Sequence, residues 1–313
     1  MENTLAALAR NIWDKRIYPQ LGITKPALDY ALKKKVLVTD GLFPHVAVNH
    51  ADTTFEWTKG DRELAVNKDD VHKYAVWSFW GKGWAPIVLD HDTMSHIKGN
   101  SNSIANIVNA QMNAAKLTFQ KNMAAQLYLT AASYSDRYQG FADALITTGT
   151  FAGIDRSVDA WWVPGVYDTT TTLAGDFMKS LEDAQTTLID NDGNPNVIFS
   201  TGAVFNAARD QLAGREIQIV TQKAPGDGGT YITGARAIIV CGMPLWHDPS
   251  CPSGTAVMLT DEDWEFQVWA DDDFRIKGPV EPANWDGRVS GIIHRGQLVF
   301  KKLKSHARWT ALV

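Results

Sequence analysis

Residues 101–131 contain no glycine and no proline, and this uninterrupted stretch constrains the fold more than any other part of the sequence. Its apolar residues follow one another at intervals of three or four, the spacing that lines one face of an α-helix. They are Ile104, Val108, Met112, Ala115, Phe119, Met123 and Leu127. Ser101, Asn102 or Ser103 can cap the first turn. At 1.5 Å per residue the predicted helix is roughly 40–45 Å long, which is well above the average for globular proteins.

The composition is that of a folded chain with room for one or two domains. Of its 313 residues, 45% are hydrophobic and 21% are charged, and the formal net charge is −5. This acidic balance argues against a surface dedicated to nucleic acid, but not against a wall that encloses nucleic acid without sticking to it. Because no run approaches 18 consecutive apolar residues, we predict no membrane span. The first residues also lack the basic and apolar regions of a secretory signal.

The aromatic and sulfur-containing residues leave several interpretations open. The chain has 12 tryptophans, which can belong to a core, to sugar-binding platforms or to interfaces between subunits. Its two cysteines, Cys241 and Cys251, are predicted to be free thiols made in a reducing cytoplasm.

The first third of the chain is predicted to hold an arm and a hairpin. In residues 1–35, proline and glycine interrupt any long helix, and the few apolar residues are too few to form a core alone. Residues 45–90 change to the alternating pattern of strands, with aromatic residues on both faces. An isolated hairpin is marginal in water, so this one must lie against another surface.

A compact α/β stretch follows the long helix, and strands end the chain. Its predicted elements are an amphipathic helix from Leu173 to Leu188, a buried strand at Val197–Phe199 and a second helix from Val204 to Leu212. Alternation returns in 264–268 and 289–300. Since the terminal strands must pair near the long helix, we interpret the α/β stretch as an insertion into a discontinuous base domain.

Few motifs with known chemistry are present. The sequence has no phosphate-binding glycine loop, zinc-protease motif, nucleophile elbow or paired Cys-x-x-Cys. The possible ligands Asp90, His91, Asp92 and His96 lie where a helix begins, so we interpret them as capping or solvent-facing groups. The run 190–194 imitates a calcium loop, but Pro195 and Thr201 replace its required glycine and glutamate, which indicates a turn.

Two acidic runs provide carboxylates for glycoside chemistry beside several tryptophans. They are Asp261-Glu262-Asp263 and Asp271-Asp272-Asp273. Consecutive acids at the ends of strands are more often a solvated rim, which is the interpretation that we favour.

The order of these parts resembles the major capsid protein of tailed bacteriophages with the Hong Kong 97-type fold, an α+β fold. Residues 1–44 resemble its N-terminal arm, and 45–95 resemble its extended E-loop hairpin. Residues 96–149 and 256–313 resemble its peripheral P-domain, which contains the long spine helix, and 150–255 resemble its axial A-domain. The resemblance covers most of the chain and rests on arrangement more than on any single motif.

Two local features add to the resemblance. Ala152-Gly153-Ile154-Asp155-Arg156, followed by Trp161-Trp162, is similar to a turn in one branch of these coat proteins. That branch more often has a second glycine where Ala152 stands. Trp264–Val268, followed after a polar linker by Gly296–Phe300, resembles the end of the same branch.

The resemblance implies a structural role without catalytic, cofactor-binding or metal-binding residues. It implies pentamers and hexamers of the chain itself, a phage head around double-stranded DNA that is contacted non-specifically, a portal and possible decoration proteins. It also implies assembly in the host cytoplasm, a final place in the virion and no membrane partner. The candidate residues for contacts between subunits are Trp13 in the arm and four aromatic residues of the hairpin, namely Trp57, Trp77, Phe79 and Trp80. Truncating Trp77 or Phe79 is expected to impair assembly more than folding.

The resemblance also bears on processing and on the orientation of the helix. Only about a hundred residues precede the helix, so we expect a separate scaffolding protein rather than a cleaved N-terminal segment. Some relatives cross-link a lysine to an asparagine, but nothing shows that Lys59 or Lys82 meets Asn284, and we predict no cross-link. The apolar stripe of the helix should pack on the terminal strands, and its polar face, with Asn109, Lys116 and Gln120, should look toward the interior or solvent.

Three alternatives remain at the level of sequence. An encapsulin-like compartment would use the same fold around a cargo enzyme instead of a genome. A Trp-rich carbohydrate-active enzyme would use one of the acidic runs. An α/β nucleotide-binding enzyme would use residues 170–245, although these lack the glycine-rich loop that such a site needs.

Overall fold

The computed structural model describes seven ranges of the chain, and all structural statements below concern them. The ranges are 25–51, 71–90, 101–131, 136–173, 177–212, 237–280 and 287–312. Trp13, Trp57, Lys59, His91, Asp92, His96 and Asn284 lie outside them. In the described part, no helix is both long and apolar enough to cross a membrane.

The long helix predicted from the sequence is present as α2, Ser101–Gln126, with 26 residues and a length of about 39 Å. A short helix, α1, Pro26–Lys33, precedes it in the chain. The remaining helices are α3 at Phe141–Ala144, α4 at Phe177–Asp190 and α5 at Gly202–Leu212. The two helices predicted in the α/β stretch, α4 and α5, and their buried apolar positions therefore match the predicted pattern.

A five-stranded sheet lies beside the long helix. Its strands are β1 at Lys35–Val38, β4 at Gly81–Asp90, β12 at Trp264–Trp269, β13 at Arg275–Val280 and β14 at Gly287–Phe300. The central strand β14 pairs with β4 on one side and with β12 and then β13 on the other, all antiparallel. Strand β1 extends the sheet in parallel beyond β12.

A six-stranded sheet forms the second half of the molecule, in the order β7-β15-β11-β8-β10-β9. These strands are β7 at Val166–Asp168, β8 at Pro195–Ser200, β9 at Ala237–Val240, β10 at Met243–His247, β11 at Ala256–Thr260 and β15 at Ala307–Trp309. Two small antiparallel pairs complete the fold. They join β2 at His45–Asn49 to β3 at His72–Val76, and β5 at Thr150–Phe151 to β6 at Ile154–Asp155.

Two hydrophobic clusters lie on the two faces of the six-stranded sheet. One joins the long helix, α1, the five-stranded sheet and the segment around Phe151 to one face, and the other fills the space between α4, α5 and the opposite face. The stripe of the long helix is buried at Met112, Ala115, Phe119, Met123 and Leu127, as predicted. The Phe119 ring meets Phe274, just before β13, with ring centroids 6.0 Å apart.

One residue of the predicted polar face of the helix differs from expectation. Gln120 is buried, with 8% of its surface exposed, whereas Lys116 is partly exposed. The reason is that the helix contacts both β4 and α1, so the covered part of its surface is wider than a single apolar stripe. The side chain of Asn109 lies outside the description.

Three segments pair differently from the sequence-based division. Residues 26–38, assigned to the arm, form α1 and β1 and belong to the main body, with Ala27, Leu28 and Ala31 fully buried. Strand β4, assigned to the hairpin, pairs over ten residues with β14. Strands β11 and β15, assigned to the P-domain, join the six-stranded sheet of the α/β stretch.

Candidate functional site at the base of the hairpin

Residues 150–162, named here the anchor segment, form a tight hairpin followed by a turn. Strands β5 and β6 are joined by Ala152 and Gly153, whose φ angles are +51° and +77°. Two consecutive residues with positive φ are typical of the type I′ turn of a two-residue hairpin, where glycine avoids the steric cost of a β-carbon. This geometry accounts for the glycine that the resembling coat proteins more often have at the position of Ala152.

Arg156 holds the anchor segment together from within. Its guanidinium group donates hydrogen bonds to four backbone carbonyl oxygens, at distances of 2.5 to 3.2 Å. These oxygens belong to Asp143, Ala144, Thr148 and Trp162. Burial lowers the pKa of Arg156 to about 10, so the side chain remains a cation at neutral pH. Arg156 therefore ties α3, the loop after it and the end of the anchor segment into one unit.

The base of the hairpin is fastened to this unit by backbone and aromatic contacts. The backbone N–H of Val76 donates to the carbonyl oxygen of Ala152 at 2.8 Å. The indole of Trp77 meets the ring of Phe151 edge-on, with centroids 5.7 Å apart. Because Trp77 and Phe151 are both buried, this contact continues the main core into the hairpin.

Polar and aromatic groups form a second set of contacts beside the first. The Lys73 ammonium lies 2.6 Å from Asp159 Oδ1, and the His50 ring stacks on Trp161 with centroids 5.3 Å apart. The indole N–H of Trp161 also donates to Asp159. The hydrogen bond from Lys73 lowers the pKa of Asp159, which therefore stays charged and paired in weak acid. The Trp161-Trp162 pair thus contributes to positioning the hairpin.

The structure places the predicted hairpin aromatics in different environments. Trp77 is 2% exposed, which corrects the expectation that it acts chiefly between subunits, because its ring has no surface to offer a neighbour. Phe79 and Trp80 are half-buried. Trp80 packs edge-on against Trp269 at 5.7 Å and donates a hydrogen bond to the carbonyl oxygen of Leu42. An interface role for Phe79 and Trp80 stays a prediction, as it does for Trp13 and Trp57.

Sequence reasoning missed several apolar side chains that the subunit leaves exposed near the hairpin and on β4. Leu42 is 80% exposed, Tyr74 is 66% exposed and Trp84 is 45% exposed. Alternation in β3 could have identified Tyr74, which points away from buried Ala75. The exposure of Leu42 and Trp84 depends on tertiary packing, and no local sequence pattern predicts it.

A buried carboxylate joins the six-stranded half of the molecule to α1 and to the turn that follows the long helix. Asp248, directly after β10, is fully buried and accepts hydrogen bonds from the backbone N–H of Ala27 and from the hydroxyl of Tyr128. It also accepts one from the backbone N–H of Ser250. Burial and the charge of Asp248 raise the pKa of Tyr128, so its hydroxyl remains a donor. Asp248 thus satisfies an N–H of the first turn of α1, which has no partner within the helix.

The acidic runs serve as ion-pair partners. Asp261 pairs with Lys34 and accepts a hydrogen bond from Tyr30, while Asp273 pairs with Lys35 and Asp272 pairs with Arg295. These contacts hold α1 and β1 against the five-stranded sheet. Among the described residues, no group of three or more His, Cys, Asp or Glu side chains could hold a metal ion.

A cavity of about 380 Å³ lies between the second half of the long helix, β4 and residues 136–138. His294 on β14 lines it and is buried between the rings of Phe266 and Phe274, with centroid distances of 5.7 and 4.4 Å. Both imidazole nitrogens are without a hydrogen-bond partner. Burial lowers the pKa of His294 to about 4, so the ring is neutral at pH 7.

No family model and no curated protein matches the sequence. Solved structures, in contrast, match over most of the chain. The capsid of cyanophage A-1(L) is similar with a TM-score of 0.66 and 16% sequence identity, over 94% of this chain and 92% of that one. The capsid of a native GTA particle is similar with a TM-score of 0.57 and 13% identity, over 91% and 90% of the two chains.

An encapsulin from Synechococcus elongatus is also similar, with a TM-score of 0.57 and 11% identity over 89% of this chain and 84% of that one. The fold of this chain is the α+β Hong Kong 97-type capsid fold.

Proposed function

We propose that this chain is the major capsid protein of a tailed phage, which self-assembles as hexamers and pentamers into an icosahedral head around double-stranded DNA. The observation that carries the proposal is the similarity to the cyanophage A-1(L) capsid over nearly the whole of both chains. A match over 94% of this chain and 92% of that one concerns nearly the complete architecture of a shell subunit.

The surface of the subunit supports a role in assembly. The base of the hairpin, formed by β2 and β3, is held by the anchor segment, while Leu42 and Tyr74 expose apolar surface there. Exposed apolar groups in such numbers are typical of surfaces that another protein covers. In closed symmetric shells each subunit buries such groups against copies of itself. Phe79 and Trp80, together with Trp13 and Trp57, belong to the same proposal.

The proposal has consequences for partners and location. A separate scaffolding protein, a portal and possible decoration proteins would accompany the chain, which would be made in the host cytoplasm and end in the virion. The subunit's work is mechanical, because the long helix and sheet form a stiff frame that the hairpin ties to its neighbours. This role needs no cofactor or catalytic residue.

Purified full-length chain tests the proposal by negative-stain microscopy, where closed shells or capsomers are expected. A variant with Leu42→Ser and Tyr74→Ser should keep its circular dichroism spectrum and melting temperature but form at least several-fold fewer particles. Ile189→Ser is the matched control, since Ile189 is 53% exposed on α4. A chain that stays monomeric at high concentration, with or without a scaffolding protein, would overturn the proposal.

An encapsulin-like compartment is the second candidate, favoured by the similarity to the Synechococcus encapsulin. The two functions differ in the content of the particle. Genes for a portal and terminase beside this gene would support the phage head, and a gene for a cargo enzyme would support the compartment. The ratio of absorbance at 260 and 280 nm distinguishes particles filled with nucleic acid from particles filled with protein.

A further inference from the structure

The cavity between the long helix and β4 has a volume of about 380 Å³ and is partly open to solvent. Phe119, Met123 and Ala125 of the helix form an apolar wall along it. An engineered cavity of about 150 Å³ binds benzene, so this one has room for two fused aromatic rings. We propose that the cavity binds a small, uncharged aromatic molecule that carries a hydroxyl group. This binding is a property of the subunit itself and is additional to the proposed shell function.

His294 supplies a polar group to this otherwise apolar wall. Its ring is buried, with 2% of its surface exposed, and neither nitrogen has a hydrogen-bond partner within the described part of the chain. Nδ1 faces Asp273 at 3.7 Å, beyond hydrogen-bond distance, so Nε2 is the nitrogen that is turned away from that carboxylate. Buried polar groups without a partner are rare in folded proteins and cost free energy. A ligand that supplies the missing partner therefore binds more tightly than one that only contacts the apolar wall.

Glycine residues leave space beside the His294 ring. His294 is paired with Gly83 of β4, which lines the cavity, so both residues share the face of the sheet that looks toward the long helix. Gly83 has no side chain to cover the ring, and a β-carbon there would lie 2.8 Å from Cε1 of Phe119. Two residues further along β14, a β-carbon at Gly296 would lie 3.1 Å from Nε2 of His294. A larger residue at either position would crowd the ring and its surroundings.

The charges around His294 favour an uncharged ligand that both donates and accepts hydrogen bonds. Burial lowers the pKa of His294 to about 4, so at pH 7 the neutral ring has one N–H donor and one acceptor nitrogen. A hydroxyl group can be the partner of either nitrogen, because it donates one hydrogen bond and accepts others. Asp273 would repel an anion, while Lys35, 2.5 Å from that carboxylate, already provides it with a cation. Removing a charged ligand from water would also cost more than one hydrogen bond returns.

The mouth of the cavity gives a small molecule access without unfolding of the chain. Thr118, Asn122 and Leu129 line it from the helix, and all three are exposed. A ligand inside contacts the long helix and β4 at the same time, and reaches His294 on β14. Because such a ligand binds only the folded chain, it should raise the melting temperature of the subunit.

Isothermal titration calorimetry of the full-length chain with 2-naphthol and with naphthalene tests the inference at pH 7.5. The two compounds have the same ring system and differ only in the hydroxyl group. Wild type should bind 2-naphthol with a dissociation constant on the order of 10–100 µM. Naphthalene should bind about tenfold more weakly, since it offers His294 no partner. Only 2-naphthol should raise the melting temperature clearly.

Two variants and a matched control locate the binding. His294→Phe keeps an aromatic ring but removes both nitrogens, so its affinities for the two compounds should lie within twofold of each other. Ala125→Phe places a ring in the cavity and should weaken the binding of both compounds at least tenfold. Ala114→Phe is the control, since Ala114 is exposed on the same helix but does not line the cavity. It should bind like wild type, and circular dichroism confirms that each variant folds.

Three outcomes would overturn this inference. These are wild type that binds 2-naphthol no more tightly than naphthalene, His294→Phe that keeps a tenfold preference, and Ala125→Phe that binds like wild type. The first outcome would mean that solvent satisfies His294 and that the cavity is only a gap in packing. Negative-stain microscopy of the same samples separates the two proposals. Closed shells that bind no naphthol refute only the cavity site, whereas a chain that binds naphthol but never assembles refutes only the shell function.

Discussion

Trp77 at the base of the hairpin packs edge-on against Phe151 in the anchor segment, with ring centroids 5.7 Å apart. This contact and the hydrogen bond from Val76 to Ala152 fix the end of β3 to the anchor segment. The position of the hairpin base thus depends on the anchor segment, which follows it by more than seventy residues in the chain. Any shell that uses the hairpin depends on this junction.

Replacing Trp77 by alanine should destabilise the subunit itself. Truncation of a fully buried tryptophan removes its transfer energy and leaves a cavity, at a cost of about 3–5 kcal/mol. Urea unfolding followed by circular dichroism measures the loss. Phe79→Ala is the comparison, and because Phe79 is half-buried we expect a loss of less than about 1.5 kcal/mol. Equal losses for the two variants would contradict the core role of Trp77.

The strongly periodic elements could be predicted from the sequence, because their burial repeats at helical or strand spacing. The long helix, α4, α5, β8 and β12 fall within this class. The candidate site was predictable only in part. The anchor segment was singled out as a motif, but its contact with the hairpin depends on tertiary packing.

Strand pairing was harder to predict than the strands themselves. Alternation indicates that β4 is a strand, yet its partner β14 lies some two hundred residues later and no local pattern names it. The same holds for β11 and β15, which join the α/β sheet. Pro26 suggested an interruption but instead occupies the first turn of α1, where its missing N–H costs nothing.

Replacing Arg156 by lysine should destabilise the anchor segment although the charge is kept. A lysine has three donors on one atom and cannot span the four carbonyl oxygens that Arg156 reaches, so buried acceptors lose their partners. We expect a loss of about 2–4 kcal/mol in the free energy of unfolding, measured in urea. Arg209→Lys, on the exposed surface of α5, should change stability by less than about 0.5 kcal/mol. An Arg156→Lys variant as stable as wild type would show that these bonds are dispensable.

Replacing Ala152 by glycine should stabilise the chain. Ala152 has a φ of +51°, where its β-carbon is crowded, and relief of this crowding exceeds the added entropy of the unfolded chain. We expect a gain of about 0.5 kcal/mol and a small rise in melting temperature. The reciprocal variant Gly153→Ala introduces a β-carbon at a φ of +77° and should cost about 1 kcal/mol. A loss of stability in Ala152→Gly would contradict this account of the turn.

Acid should destabilise the subunit through two buried histidines. Burial lowers the pKa of His294 to about 4 and that of His306 to about 3, both below the unfolded value of about 6.5. Nδ1 of His306 accepts a hydrogen bond from the backbone N–H of Thr260, which also requires the unprotonated ring. The charged groups that face His294 are Asp273, which favours its protonation, and Lys35, which opposes it.

The direction of this pH effect on stability follows from proton binding. Between about pH 6.5 and 4 the unfolded chain binds more protons at these histidines than the folded chain, so stability is full above pH 6.5 and falls as the pH decreases. Over the whole window, His294 accounts for about 3 kcal/mol and His306 for about 5 kcal/mol, at about 1.4 kcal/mol per pKa unit. Urea unfolding at several pH values from 7.5 to 4.5 should show this fall.

The variant His294→Phe separates this effect from general acid destabilisation. Phenylalanine keeps the stacking on Phe266 and Phe274 and removes the titrating group, whose nitrogens make no hydrogen bond. Its stability at pH 7.5 should equal or exceed that of wild type, and its dependence on pH should be shallower. His45→Phe, on the exposed surface of β2, is the matched control and should keep the wild-type slope. If the slopes of His294→Phe and wild type coincide, His294 does not carry the acid sensitivity.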